Sequence, residues 1–178
     1  MSHICCQQDS TTVISRTQRI WDITDVDENW TTNDLPDIIG QTEPISGIYA
    51  HSNWVSENKR YLYCFDEQNT ADIAIYDISD PTQPTMMRTF VYSGDNELDA
   101  APHNGEIRGQ YLYLAYFRAG LRVFDISNPL NPYEVGKTET FRDPNGDGIF
   151  ENNNGGTGGA WNVRNALLFE CTILEMSF

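Results

Sequence analysis

Basic residues are scarce in this chain: 11 lysines and arginines stand against 26 aspartates and glutamates, which gives a formal net charge of −15 over 178 residues. A surface of that sign repels phosphate backbones and anionic membranes, so the composition argues against a nucleic-acid partner. Long apolar runs are also lacking, since no stretch approaches the roughly 18 residues that a membrane span requires. The excess of acidic residues favours solubility and would attract cations, including calcium.

Cysteine is the next scarce residue, and its placement suggests neither a metal site nor a disulfide framework. Cys5 and Cys6 are adjacent and lack metal-ligand spacing, and Cys64 alternates with Leu62 in an apolar strand pattern. The sequence has no Gly-x-Ser-x-Gly elbow, no phosphate-binding loop and no helical period sustained over about twelve residues. What remains is a chain of globular composition, with 39% hydrophobic residues, that we expect to be all-β.

An internal repeat dominates what the sequence does contain. The segment IAIYDISDPTQP at 73–84 returns as LRVFDISNPLNP at 121–132, and a weaker copy, QRIWDITDVDEN, begins at Gln18. Upstream of the two strong copies stand a histidine and the tripeptide YLY. The aspartates that recur in all three copies are Asp22, Asp77 and Asp125. We expect their role to be structural, with each carboxylate accepting backbone N–H bonds in the turn that follows.

Each strong copy is predicted to form four short antiparallel strands, because its segments are rich in β-branched and aromatic residues with period-two alternation. The predicted strands span 47–55, 60–66, 71–78 and 85–92 in the first copy, and 103–108, 110–117, 120–127 and 133–141 in the second. Four such strands in a repeat of about 50 residues are typical of a β-propeller blade. A β-sandwich is the alternative, and the repeat argues against it.

The predicted organisation is an incomplete propeller. Residues 1–17 form an unassigned N-terminal segment, and 18–163 hold the repeats. Within them lie complete blades at about 47–92 and 103–141 and half blades at either end, followed by a divergent tail over 164–178. Incomplete blades leave strand edges and apolar faces uncovered. We therefore expect either a piece of a longer propeller or a short protein that associates with itself.

Two segments, HSNWVSENKRYLYCFDE and HNGEIRGQYLYLAYFRAGLRVFDISNPLNPYEVG, followed by GGAWNV, resemble the LVIVD-repeat proteins, with the choice-of-anchor B group as the closest match. The resemblance covers roughly residues 18–163 and implies a secreted or surface-attached bacterial β-propeller, with no settled catalytic activity. Our main hypothesis is a non-enzymatic propeller that serves as a binding or scaffold module at the bacterial cell surface, with a protein or glycan as its ligand. The first residues lack the basic and apolar regions of a signal peptide, and no anchor is visible, so the extracellular location rests on the resemblance.

Four polar residues are candidates for a ligand site in the propeller channel: His51, His103, Asp66 and Glu67. The two histidines stand at the start of predicted inner strands, where imidazoles from successive blades could hold a metal or a polar ligand. The alternative is that each histidine hydrogen-bonds a neighbouring loop and fixes the packing of its blade. A channel site would suit a metal- or calcium-assisted hydrolase or lyase, which is the rival to the binding module.

The loop DPNGDGIFENNN carries the local pattern closest to a metal site. Asp143, Asn145 and Asp147 occupy positions one, three and five, and Gly148 follows at six, as in the first half of an EF-hand loop. Glu151 lies at position nine, whereas the bidentate glutamate of position twelve is missing. Calcium is therefore a candidate ligand of this loop. The alternative is a polar loop, because asparagine, glycine and aspartate are also turn residues.

Overall fold

The structure is a computed structural model, and it describes residues 4–8, 17–22, 37–43, 50–66, 72–91, 101–117, 119–138, 163–166 and 170–173. Within these ranges the protein is all-β, and every regular element is a strand in an antiparallel sheet. Among the same residues there is no helix with the length and apolar character that crossing a membrane requires.

The N-terminal sheet contains three strands: β1 (Ile4–Gln8), β2 (Gln18–Asp22) and β3 (Asp37–Gln41), paired in the order β1-β2-β3. Strand β2 is formed by the first five residues of the weaker third copy of the repeat. Strand β1 lies in the segment 1–17 that the sequence left unassigned, so this end of the chain has one strand more than half a blade.

Each strong copy of the repeat folds into a four-stranded antiparallel sheet. The first repeat consists of β4 (Ala50–Val55), β5 (Tyr61–Asp66), β6 (Asp72–Asp77) and β7 (Thr85–Val91). The second repeat consists of β8 (Gly105–Arg108), β9 (Tyr111–Ala115), β10 (Leu121–Asp125) and β11 (Tyr133–Thr138). Both sheets keep the strands in chain order. The predicted fold class, all-β with four antiparallel strands per repeat, is confirmed.

A two-stranded hairpin, β12 (Val163–Ala166) and β13 (Glu170–Ile173), follows the second repeat along the chain. Most of this C-terminal hairpin lies in the region 164–178, which the sequence analysis treated as a divergent tail. Its position after the second repeat corresponds to the first two strands of a further sheet.

The sheets are arranged around their inner edges. The edge strand β1 lies against β4, β4 lies against β8, and β8 lies against β12, so the inner edges follow one another in chain order. The blades of a β-propeller also place their inner strands next to one another in chain order. The sheets of the described residues do not close a ring.

Among the described residues, the two largest apolar layers of the core lie on either side of the first repeat, and a smaller cluster around Ala115 and Leu121 lies on the second. We call the face of each sheet that carries the recurring aspartate its forward face, and the opposite face its rear face. The forward face of the first repeat packs on the rear face of the second through Tyr63, Phe65, Ile73, Ile75, Leu112, Leu114 and Phe124. Its rear face packs on the forward face of the N-terminal sheet through Leu62, Cys64, Ala74, Tyr76 and Ile20. Period-two alternation in the strands thus becomes a regular forward-on-rear stack.

Tight turns join the first two strands of each repeat, and they occupy matching positions. Lys59 in the first repeat and Gly109 in the second both have left-handed backbone, with φ of 58° and 57°. Glycine adopts this conformation without steric cost, whereas a lysine must be held there. The turn around Lys59 is held by Asn58, whose Oδ1 accepts hydrogen bonds from the backbone N–H of Arg60 and from the hydroxyl of Ser56.

Candidate functional site

The inner strand β4 links the first repeat to both of its neighbours through polar side chains. The amide of Asn53 donates to Oε1 of Gln18 at 2.6 Å, and the hydroxyl of Ser52 donates to the backbone carbonyl of His103. Adjacent residues of a strand point to opposite faces, so Asn53 reaches the N-terminal sheet and Ser52 reaches the second repeat. The polar groups at this inner edge therefore hold sheets together.

His103 is buried just before β8 and is engaged within its own segment. Its backbone N–H donates to the carbonyl of Ala115 at 2.9 Å, and its ring nitrogen Nδ1 lies 2.7 Å from Nδ2 of Asn104. The imidazole also lies against the ring of Phe117, with 5.0 Å between the ring centroids. Phe117 itself has a positive φ of 36°, which is uncommon for a bulky residue. These contacts fix the orientation of the imidazole beside the tight turn that follows β9.

Strand register places His51 and His103 at matching positions of the two repeats. Asn53 pairs with Cys64, and Gly105 pairs with Leu114 at the corresponding place in β9, so counting back two residues from each brings the histidines into correspondence. The backbone of His51 lies in β4 at an irregularity of the β4–β5 register. The side chain of His51 lies outside the described part of the chain.

Asp66 ends β5 and is buried, with 2% of its surface exposed. By the same register its counterpart in the second repeat is Tyr116, so the buried carboxyl group is specific to the first repeat. Glu67 lies outside the described residues. The calcium-loop candidates, which are Asp143, Asn145, Asp147 and Glu151, also lie outside them. Among the residues that are described, no group of three or more His, Cys, Asp or Glu side chains has a geometry that could hold a metal ion.

The recurring aspartates of the two repeats cap the turn that follows the third strand. Oδ1 of Asp77 accepts the backbone N–H of Ser79 at 2.8 Å, and Oδ1 of Asp125 accepts that of Ser127 at the same distance. Hydrogen bonds from these serines are the main cause that lowers the pKa of each aspartate, to about 2 for Asp77. Asp22 holds the equivalent place at the end of β2. Such bonds favour the ionised carboxylate, as in side-chain-capped turns generally.

The second oxygen of each recurring aspartate has a different partner in the two repeats. In the first repeat, Arg60 donates from Nη2 to Oδ2 of Asp77 at 2.9 Å, and its guanidinium lies 5.2 Å from the ring centre of Tyr61. In the second repeat the arginine position holds Gln110, whose amide donates to Oδ2 of Asp125 at 2.9 Å. The first repeat thus neutralises its aspartate with an ion pair, whereas the second uses a neutral amide.

Comparison with known protein families relates the two four-stranded sheets to one described repeat. Two stretches of the chain, residues 47–91 and 106–140, match the LVIVD repeat. No curated protein matched the chain. The two matched stretches coincide with the two four-stranded sheets, so each stretch that is similar to the LVIVD repeat forms one antiparallel sheet.

Sequence reasoning missed the large side chains that the second repeat exposes. Tyr133 and Val135 of β11 are 55% and 47% exposed, and Tyr111 of β9 is also exposed. Tyr111 belongs to the recurring tripeptide YLY, and that recurrence suggests a buried packing residue. The repeat pattern does not show which of these side chains are exposed, because their burial depends on the neighbouring sheets and not on the strand itself.

Proposed function

We propose that the chain is a non-enzymatic module whose LVIVD repeats, stacked as propeller blades, bind or scaffold a protein or a glycan at the bacterial cell surface. The observation that carries the proposal is that recurring polar side chains serve the fold. Asp77 and Asp125 cap turns, and His103 is buried and paired within its segment. Catalysis would instead require titratable groups that converge on one pocket.

The side chains that are available to a ligand are the large exposed ones. Trp54 on the inner strand β4 is 40% exposed, and Met86 on the outer strand β7 is 43% exposed. Tryptophan is among the residues that most often dominate binding energy, because it buries a large area at a small cost in side-chain entropy. Trp54 also lies beside the inner edges at which successive sheets meet, so we propose it as an anchor for the ligand.

The location at the cell surface or outside the cell, and the assignment to the choice-of-anchor B group, are part of the same proposal. They are supported by the sequence resemblance over residues 18–163. A charge of −15 is compatible with an extracellular module, since it keeps the surface soluble and discourages adsorption to anionic lipid.

Two measurements on the same preparations test this function: retention of the labelled chain, and release of soluble fragments from the cells or the peptidoglycan. Fluorescently labelled chain is added to intact bacterial cells and to isolated peptidoglycan, each with and without protease treatment. We expect saturable retention without release of soluble fragments, lost in Trp54→Ala and kept in the control Met86→Ala. Release of sugar or peptide fragments that EDTA suppresses would favour a metal-assisted hydrolase or lyase. Lack of saturable retention on every preparation would contradict the binding module.

A further inference from the structure

The recurring aspartate of each repeat stands in a row of side chains that crosses neighbouring strands. Residues directly opposite one another in adjacent strands point to the same face of a sheet. The rows are Tyr61, Asp77 and Thr85 in the first repeat, and Tyr111, Asp125 and Tyr133 in the second. Both rows therefore place a carboxylate beside a tyrosine on the forward face, and the second row adds another tyrosine.

The first repeat provides a cation for its own row. Arg60 donates to Oδ2 of Asp77 from Nε at 3.1 Å and from Nη2 at 2.9 Å, while its guanidinium carbon lies 5.2 Å from the centre of the Tyr61 ring. The Arg60 side chain is 54% exposed, so this ion pair lies at the surface. The contact joins charge-assisted hydrogen bonds to a cation–π interaction. The chain itself thus shows that a guanidinium suits a tyrosine and an aspartate in this row.

The second repeat has the same row without the cation. Gln110 takes the place of Arg60, and its neutral amide donates to Oδ2 of Asp125 at 2.9 Å. Among the described residues, no lysine or arginine forms an ion pair with Asp125. Tyr111 and Tyr133 on either side of it are both exposed. A carboxylate flanked by two accessible aromatic rings is the arrangement that attracts an external cation.

The carboxylate of Asp125 is charged at neutral pH. Hydrogen bonds from Ser127 lower its pKa, and its negative charge in turn raises the pKa of Tyr133. Asp125 is itself buried beneath its neighbours. The Tyr133 hydroxyl lies 3.4 Å from Oδ2, which is longer than an ordinary O–H···O bond, and its side chain is 55% exposed. A ligand reaches Oδ2 when this weakly held side chain swings aside.

We propose that Tyr111, Asp125 and Tyr133 form a binding site for an arginine side chain of a partner protein. The guanidinium takes the place that Arg60 has in the first repeat, donating to Oδ2 of Asp125 beside the tyrosine rings. Arginine fits this site because its planar fork bonds a carboxylate and stacks on an aromatic ring at the same time. The formal charge of −15 attracts a basic partner surface at longer range. The inference rests on the proposed binding function only in that it takes a protein as the partner.

Titration of the isolated chain with a short peptide tests the site. The probe is acetyl-Gly-Arg-Gly-amide, and the matched control is its citrulline analogue, in which a neutral urea replaces the guanidinium. NMR signals of isotope-labelled tyrosine rings report binding, with Tyr111→Phe and Tyr133→Phe used to assign the two rings. We expect saturable shifts of both rings with the arginine peptide. The citrulline peptide should bind about tenfold more weakly or worse, because it lacks the charge.

Variants of the second repeat test each part of the site. Gln110→Arg copies the first repeat, so its own guanidinium should occupy the row and abolish saturable shifts with the peptide. Glu43→Gln makes the same change in net charge at an exposed position just after β3, and it should leave binding unchanged. Asp125→Asn keeps an oxygen for the turn and removes the charge, and it should weaken binding about tenfold. Tyr133→Thr removes one cation–π contact, and it should weaken binding about two- to fivefold.

Four results would overturn the proposal. These are equal affinity for the arginine and citrulline peptides, equal affinity for the arginine peptide and its lysine analogue, unchanged binding in Gln110→Arg, and equal weakening by Glu43→Gln and Gln110→Arg. Far-UV circular dichroism checks that each variant keeps its sheets, and Asp125→Asn and Tyr133→Thr carry the test if Gln110→Arg does not fold. The titration uses no cells, so a failure of the arginine site is distinguishable from a failure of retention on cells.

Discussion

Gly105 lies in the contact between the first and second repeats, so a substitution there tests how closely the two sheets pack. A methyl group added to Gly105 would meet the ring carbons Cε2 and Cζ of Phe65 at 2.7 Å and Cδ1 of Leu114 at 3.1 Å. Carbon atoms in favourable contact lie about 3.5–4.0 Å apart, so the ring or the strand would have to move. We expect Gly105→Ala to lower the free energy of unfolding by about 1–3 kcal/mol, which is the usual cost of overpacking a core.

A double-mutant cycle shows whether Phe65 is the cause of that loss. Phe65→Leu removes the ε and ζ carbons, and alone it should cost on the order of 1 kcal/mol as a swap between apolar residues. In the double variant the new methyl group occupies space that the ring has left, so the cost of Gly105→Ala should fall by about 0.5–3 kcal/mol. Urea unfolding followed by tryptophan fluorescence and by far-UV circular dichroism measures all four chains.

Gly136 in β11 is the matched control, since a Cβ there would lie 3.8 Å from Cβ of Val123, an ordinary contact. Gly136→Ala should change stability little, or raise it by about 0.4–1 kcal/mol through a less flexible unfolded chain. Additive effects of Gly105→Ala and Phe65→Leu within about 0.3 kcal/mol would refute the packing of β8 on Phe65. Equal effects of the two glycine substitutions would refute it as well.

Three further substitutions test other features. Hydrogen bonds lower the pKa of Asp77 to about 2, below its unfolded value of about 3.9. The stabilisation by its carboxylate is therefore present above pH ~4 and disappears as the pH falls toward 2. Asp77→Asn should flatten the loss of stability across that window in acid titrations monitored by circular dichroism. Gly120→Ala should cost about 1–2 kcal/mol in the same urea assay, because φ there is 76°, and a cost near zero would contradict this backbone. If the 143–154 loop binds calcium, calorimetry should show heats that Asp143→Ala with Asp147→Ala abolishes, and unchanged heats in the double variant would show a merely polar loop.

The strands of the two repeats could be predicted because two independent signals coincide in them. Period-two alternation marks each segment, and the repeat marks it a second time, so that β5 (Tyr61–Asp66) was expected at 60–66. Strand β1 (Ile4–Gln8) has neither signal, since ICCQQ has no counterpart in the repeat and no period-two alternation of apolar and polar residues. It becomes a strand through its pairing with β2, and no pattern in the sequence predicts that these two segments pair.

The candidate site could likewise be predicted only in part from the sequence. Matching positions of the two histidines follow from the repeat alone, and the strand register places them equivalently. The partners of the recurring aspartates could not be foreseen, because Arg60 reaches Asp77 only across the register of β5 and β6. The exposure of Tyr133 could not be predicted either, because its local sequence pattern is the same whether or not another sheet covers it.

The stacking of the sheets has a consequence for the order in which parts of this protein unfold. Among the described strands, extensive contacts join only sheets that follow one another in the chain. Under this condition the stability becomes a sum of unit and nearest-neighbour terms. The first repeat packs on a neighbouring sheet at both faces, whereas the sheets on either side of it carry exposed apolar side chains such as Ile38 and Tyr133. Opening should therefore begin at the outer sheets and reach β5 and β6 last. The slowest-exchanging amides of the molecule should be those of Leu62 to Phe65 and of Ile73 to Tyr76, and the exchange rates should rise stepwise from sheet to sheet on either side.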